Sequence, residues 1–393
     1  MSGITGLGTT YNLPNYTGML HELSPSATPF FSAIGGLNGG GQTTSTEFEW
    51  ETYDLRNPGQ NTKTEGATAP TAEARVRGNV TNVTQIHQEK VSVSYSKQSA
   101  KGQKAGTNND QANPVLSERD WQIQQMIKQM LLDVEWSFLL GTYAKPGNNS
   151  TARRTRGLIE AIQTNVIDLG TGFADATSAT DTITSTSHGL SNGDAIVFTD
   201  VGAAANIVVG RVYYVLSVAT NTFKVATSVG GSALTLGTAT GIDFRLPVTG
   251  TTDVDDINDL AQKVYDNGGS SDGETATLIV NSKQKRAISA AYASAYGKYV
   301  ENSRTVGGVN MTTLVTDFGT LNVMPSRHVH QDAIVLADLS MCRPVYLEVE
   351  DKGHFFAEPL AKTGASEDVQ LYGEVGLAYG PETAHGIITG LKV

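Results

Sequence analysis

Cysteine is nearly absent from this sequence: Cys342 is the single one among 393 residues. That excludes a disulfide framework and any multi-cysteine metal site. No stretch approaches ~18 consecutive apolar residues, so no segment reads as a membrane-spanning helix. The first ten residues, MSGITGLGTT, have neither a basic n-region nor an apolar h-region and predict no secretory signal. Basic residues are also scarce, 28 against 39 acidic ones for a net charge of -11, and no basic run exceeds Arg153-Arg154. Tight phosphate binding needs a basic stripe, so direct nucleic-acid binding is not expected. A net negative charge instead keeps a chain soluble and weakens adhesion to DNA. The expectation is a soluble protein made in a reducing compartment, with no membrane partner.

What the chain does have is strand and turn chemistry. Apolar residues make up 39%, aromatics 7% and charged residues 17%, with 42 glycines and abundant Thr, Ser and Asn. That mix favours strands over helix bundles, and the length predicts two or three domains. Residues 1–45 read as an arm. Isolated anchors (Tyr11, Tyr16, Phe30, Phe31) stand among turn residues, and the flexible run Gly39-Gly40-Gly41 ends it. Without its own core, such a segment must be ordered by the rest of the fold or by a neighbour. Residues 46–98 alternate, Phe48, Trp50 and Tyr53 in one series and Val76, Val80, Val83, Ile86, Val91, Val93 and Tyr95 in the other. A Pro/Gly/Thr-rich connection separates them, which predicts a long two-stranded arm with a polar tip. An isolated hairpin is marginal in water, so this element needs a partner surface.

Residues 117–140 carry the strongest helical pattern. Ser117 is the expected N-cap with Asp120 three residues on, and Ile123, Met126, Ile127, Met130, Val134 and Phe138 recur at helical spacing before Gly141. At 1.5 Å per residue the helix would be ~36 Å long, a spine. Residues 168–250 differ in kind: 14 Thr, 11 Gly, 10 Val, nine charged residues and no Glu. Short strands at 181–186, 195–199, 211–218 and 222–227, separated by turn signals, predict a small all-β insertion. Residues 251–345 return to α/β. Thr252 or Asp253 caps one helix, which Asn267-Gly268-Gly269 ends, and ATLIV (276–280) is a buried strand. Asn281 caps a second helix running from Lys283 to Tyr296, and strands follow near 312–318, 321–324 and 333–336. Residues 346–393 are strand-like.

No catalytic, cofactor-binding or metal-binding constellation emerges. Gly189-x-Ser191-x-Gly193 matches a nucleophile elbow, but that motif needs a strand before it and a helix after it, and here a strand follows. A hairpin turn is the better reading. The seven histidines (His21, His87, His188, His328, His330, His354, His385) are scattered, and only His328 and His330 could share a strand face. A metal would want a third ligand of known spacing. The glycines from Gly35 to Gly41 lack the Lys-Ser/Thr of a phosphate loop. Cys342 reads as a buried structural thiol. Asp253, Asp255, Asp256 and Asp259 lack the glycine and glutamate of a calcium loop, and acidic residues suit the first turn of a helix.

The order of arm, hairpin, spine helix, α/β block and strand-rich return resembles the Hong-Kong-97-type major capsid proteins of tailed bacteriophages. Particular text carries the resemblance: Ser26-Ala-Thr-Pro-Phe-Phe-Ser-Ala-Ile34 in the arm, Phe48-Glu-Trp50 and Glu65-Gly-Ala67 in the hairpin, Leu278-Ile-Val-Asn281, Thr316-Asp-Phe-Gly319, and Glu358-Pro-Leu-Ala-Lys-Thr-Gly364. The resemblance implies an α+β fold in five parts. These are an N-terminal arm (1–45), an extended loop (46–98), a peripheral domain with the spine helix (99–167 and 346–393), an inserted all-β domain (168–250) and an axial domain (251–345). It implies hexamers and pentamers tiling an icosahedral shell, a virion protein made in the bacterial host cytoplasm, with no enzyme activity and no cofactor. Scaffolding, portal and decoration proteins would be its partners, the scaffold as a separate chain, and packaged DNA would be enclosed without sequence-specific binding. The inserted domain would face outwards. The alternative is a phage tail or decoration protein that binds host glycan or another partner through that insertion.

Some members of the resembled family join subunits through a Lys–Asn isopeptide bond, and Lys63 lies in the hairpin tip where that lysine would be. The asparagine would come from the C-terminal part of the peripheral domain, yet residues 347–393 contain none. The shell is therefore expected to lack covalent cross-links. Boiled particles should run as single subunits on a denaturing gel, and a ladder of high-mass species would reject this.

Overall fold

The computed structural model describes residues 22, 27–99, 117–249, 252–269, 276–295, 313–362 and 364–393. Tyr11, Tyr16, His21, the start of the arm and the expected helix stop at Gly297 lie outside them.

In chain order α1 (Pro29–Ala33) precedes β1 (Gly41–Thr43), β2 (Glu47–Tyr53), β3 (Arg77–Val83), β4 (Gln85–Ser94), α2 (Tyr95–Ser99) and α3 (Glu118–Leu140). Then come α4 (Leu158–Ala161), β5 (Val166–Asp168), β6 (Thr171–Ala179), β7 (Thr182–Thr184), β8 (Ala195–Asp200), β9 (Val212–Leu216), β10 (Thr222–Ala226) and β11 (Ala239–Leu246). The last part holds α5 (Val254–Asp266), β12 (Ala276–Val280), α6 (Ser282–Ala295), β13 (Thr313–Thr316), β14 (Gly319–Pro325) and β15 (Ile334–Asp338). It ends with β16 (Arg343–Leu347), β17 (Phe355–Pro359), β18 (Ser366–Ala378) and β19 (Gly386–Thr389).

The chain forms two compact units, and α3 and β18 each contribute residues to both. In the first unit, which includes 86–134 and 347–374, β4 pairs with β18 and β17 pairs antiparallel with β18. Val91, Val93, Met130 and Leu371 make its core. Asp368 is held by Lys90 at 2.7 Å and Ser92 at 2.6 Å, and these bonds pull its carboxyl down to about 2.

In the second unit β12 and β15 are buried at every position, as expected of strands covered on both faces. They lie inside a six-stranded sheet of order β13-β14-β12-β15-β19-β5. α5 starts at a reciprocal capping box between Asp253 and Asp256, which accounts for the acidic run there. It packs Ile257, Leu260 and Val264 into the same core as Leu278 and Leu336.

The all-β insertion is a closed six-stranded barrel, β10-β7-β6-β11-β8-β9, filled by Phe198, Phe223, Phe244, Ile183 and Ile242. Its foot is fixed to the sheet in several places. Val248 N–H donates to Gly390 O at 2.9 Å, Gln331 N–H to Gly210 O at 2.8 Å, and Val212 N–H to the Gln331 side chain at 3.1 Å. At Gly210 (φ 77) a Cβ would come within 2.5 Å of the His330 ring, so only glycine lets the barrel seat this closely. Arg245 of β11 reaches the fully buried Asp332 at 3.1 Å and Asp168 at 3.4 Å.

Several expectations are corrected. The hairpin closes at Val83, not at residue 98, and β4 belongs to another sheet. In β4 the buried positions are His87, Val91 and Val93, all odd, and Ile86 is exposed. Tyr95 opens the short helix α2. β5 and β19, assigned to the peripheral segments 99–167 and 346–393, join the sheet expected for 251–345. Gly41 is in a strand, and Gly40 (φ 97) is pressed against Pro344, where a Cβ would lie 2.2 Å from its carbonyl oxygen, so this is a fitted contact and no free linker. β6 and β11, the longest barrel strands, were not foreseen. His328 and His330 lie in the loop after β14, not on a strand.

Asp332 is fully buried, and the Arg245 guanidinium beside it is its ion-pair partner. Arg245→Ala should cost roughly 3 kcal/mol of subunit stability, and adding Asp332→Asn should recover most of it. Urea unfolding of the subunits measures both, and an unchanged midpoint in Arg245→Ala would reject the latch.

Candidate assembly surfaces

β2 and β3 pair in register from Glu47↔Val83 to Tyr53↔Arg77, so alternate residues face opposite ways. Phe48 and Trp50 turn to one face and stack with ring centroids 6.1 Å apart, and Glu47, Glu49 and Glu51 turn to the other. The base of the hairpin is firmly held. Trp50 Nε1–H donates to Gly380 O at 2.9 Å, and its ring meets Tyr379 edge-on at 4.9 Å. The buried Asn82 donates to Leu377 O at 2.7 Å and accepts from Arg156 N–H at 2.9 Å, and Lys145 pairs with Glu47 at 2.6 Å.

Beyond the base the support ends. Every residue from Tyr53 to Asn79 is exposed, with Tyr53 at 70%, Leu55 at 69% and Val76 at 84% of full exposure. The ion pairs there, Arg77–Glu51 at 2.6 Å and Arg75–Glu73 at 3.2 Å, are solvated and contribute little. Lys63 sits within this exposed stretch.

The arm is anchored firmly where α1 meets α3. Phe30 and Phe31 are buried, and Phe31 meets Phe138 of α3 edge-on at 5.8 Å. Their two N–H groups, at the start of α1, donate to the buried carboxylate of Glu135 at 3.1 and 2.6 Å. Those bonds favour the charged form, but burial outweighs them and pushes the Glu135 carboxyl up to about 7. Sequence reasoning passed over Glu135. The available signal was a carboxylate three residues before Phe138, inside the apolar stripe of the spine helix.

The residues weighed for chemistry do not come together. Ser191 sits in a turn: its N–H donates to Asp194 Oδ2 at 2.7 Å, and β8 follows directly. His330 is buried at the barrel foot, and His188 is buried in the barrel, accepting from Leu190 N–H at 3.1 Å. Cys342 is buried near His385, and burial pushes its thiol well above the ordinary range. Among the described residues no group of three or more His, Cys, Asp or Glu could hold a metal ion. What the geometry offers is a firmly based hairpin whose outer part is exposed, apolar side chains included.

Comparison with known proteins bears on that surface. A family model described as SU10 major capsid protein matches residues 3–392. The comparison with curated proteins found no match. Among solved structures, the capsid of the cyanophage P-SCSP1u is 8% identical, covering 97% of this chain and 93% of that one with a TM-score of 0.50. A structure from Mycobacterium phage Adephagia is 11% identical, with 98% and 96% covered and a TM-score of 0.49. At such identity the likeness to the cyanophage capsid is one of fold.

Because the folded subunit keeps a proton on Glu135 that the unfolded chain releases above pH ~4.5, this group's contribution to stability is full below that pH and is lost as pH rises through about 7. Glu135→Gln, which cannot ionise, should therefore gain on the parent by up to about 3 kcal/mol between those limits. Urea midpoints of both subunits across this range test it; a constant difference would contradict the assignment.

Proposed function

The chain belongs to the SU10 major capsid protein family, structural proteins of tailed-phage capsids, and from that premise we propose how its Hong-Kong-97-type fold is used in the shell. The subunits assemble as hexamers and pentamers, and each hairpin lies on a neighbouring subunit. One observation supports this most: 27 consecutive residues, Tyr53 to Asn79, project without any core of their own. Exposed Tyr, Leu and Val side chains on a marginal hairpin stabilise nothing until another surface covers them. At ~25 cal/mol per Å² of apolar area removed from water, covering them would favour assembly over the free subunit.

In this reading residues 1–45 are the arm, the hairpin is the extended loop, and the segments around α3, β17 and β18 make the peripheral domain. The six-stranded sheet with α5 and α6 makes the axial domain, and the barrel faces outwards. Scaffolding, portal and decoration proteins act with it, and DNA is enclosed without specific contacts. The role is structural and the place is the virion. The tail or decoration alternative is set aside, because the capsid match runs through the whole chain, barrel included.

Replacing residues 54–76 by an Asn-Gly turn tests the central point. The shortened subunit should unfold within a few degrees of the parent, because its base contacts stay, yet form no shells by electron microscopy. Normal shells from it would overturn the reading.

A further inference from the structure

Charge is distributed very unevenly around the barrel foot. Several segments gather around the buried side chain of Gln284, which donates to Gln331 O at 2.8 Å and Lys392 O at 2.9 Å. Asn281 donates to the carbonyl oxygens of Arg327 at 3.4 Å and Val329 at 3.1 Å, and Gly210 accepts from Gln331 N–H. These ties gather residues 210–211, 281–286, 326–331 and 391–393. They contain Arg211, Lys283, Lys285, Arg286, Arg327 and Lys392 and no acidic residue. Six of the 28 basic residues thus fall within a small region of a chain whose net charge is -11.

None of the six makes an ion pair among the described residues. Four are exposed and two, Lys283 and Lys285, are half-buried. Cations in the first turn of α6 also oppose its helix dipole, an arrangement that costs stability in an isolated subunit. Of the carboxylates nearby, Asp332, next to Gln331, is paired with Arg245, and Asp253, Asp255 and Asp256 begin α5, which Thr252 ties to Gln284 at 3.0 Å. Asp253 and Asp256 are occupied in the capping box, and none of the three lies within ion-pair distance.

The complementary surface is on the barrel itself. Asp200 of β8 and Asp243 of β11 stand directly opposite each other, and Asp175 N–H donates to Asp243 Oδ1 at 2.9 Å. Like charges facing across a sheet are unfavourable, and no cation neutralises these three among the described residues.

We propose that the basic surface at the barrel foot receives the acidic barrel face of a second copy of this chain, Asp175, Asp200 and Asp243 meeting Lys283, Lys285 and Arg286. Two different surfaces of one chain then pair head to tail, and such heterologous contacts close into rings when the rotation between copies closes. This rests on the shell reading above and adds to it a role for the barrel: it links neighbouring subunits within a ring.

The test is a charge swap in the full-length chain, expressed under conditions in which the parent forms shells. If the parent forms none, with a scaffolding protein or without, the shell reading itself fails. The set K283E, K285E and R286E, and separately the set D175K, D200K and D243K, should each lower shell yield about tenfold. All six together should restore it, and raised salt should weaken parental assembly. Thermal unfolding of the unassembled subunits checks the fold. If the reversed basic set does not fold, the neutral set K283Q, K285Q and R286Q takes its place and should also lower the yield. Parental yield from either folded basic-surface variant overturns the proposal, and so does a folded six-fold swap that stays unassembled. Full shells that have lost only their DNA would overturn it in favour of a nucleic-acid partner.

Discussion

The mounting of the barrel depends on one constraint, the burial of β12, β15 and β19 at each of their positions. Strands with no solvent face must be covered on both sides, and α5 and α6 supply apolar side chains to that core. The sheet in turn supplies the fixed points. β5, at its edge, leads straight into the barrel, and the residue after β19, Gly390, accepts the hydrogen bond of the barrel's exit strand. The barrel is thus a mounted unit with its own aromatic core, held by backbone bonds and by Arg245.

The hairpin follows the opposite logic. Its base is over-determined by Trp50, Asn82 and Lys145, while its outer part exchanges no apolar area for its order. Fixing a residue's backbone costs about 1–2 kcal/mol, and the outer hairpin offers almost nothing in return within one subunit. In the proposed shell such an element gains its stabilisation only from a neighbouring subunit.

Buried charge is handled in three ways. Asp332 is paired with Arg245 at 3.1 Å. Glu135 accepts two N–H bonds yet is pushed toward neutrality by burial, and His87 in the first unit is held down to about 4 by burial alone. Burial likewise pushes the Cys342 thiol up and the His385 imidazole down, and both pack in the core. Side chains that could have suggested an active site are therefore accounted for by desolvation and packing.

Much of this was legible in the sequence, and for definite reasons. The spine helix carries its apolar period and its Ser117 start, α5 its acidic cap, and the barrel its shift to Thr, Gly and Val without Glu. The Hong-Kong-97-type order could be read because each of those signals is local. What stayed hidden was non-local. β6 and β11 are irregular, with bulges in their pairing and Asp175 in a left-handed conformation, so period-two alternation is broken. β5 and β19 are three and four residues long and gain their place only by pairing with each other and with β15. Glu135 looked like one more helical carboxylate until two phenylalanine N–H groups, more than a hundred residues earlier, were brought to it. Sequence alone determined the elements whose information lies within one turn or one strand. Only the tertiary structure decided which edges pair and which charges meet, because those free energies depend on residues far apart in the chain.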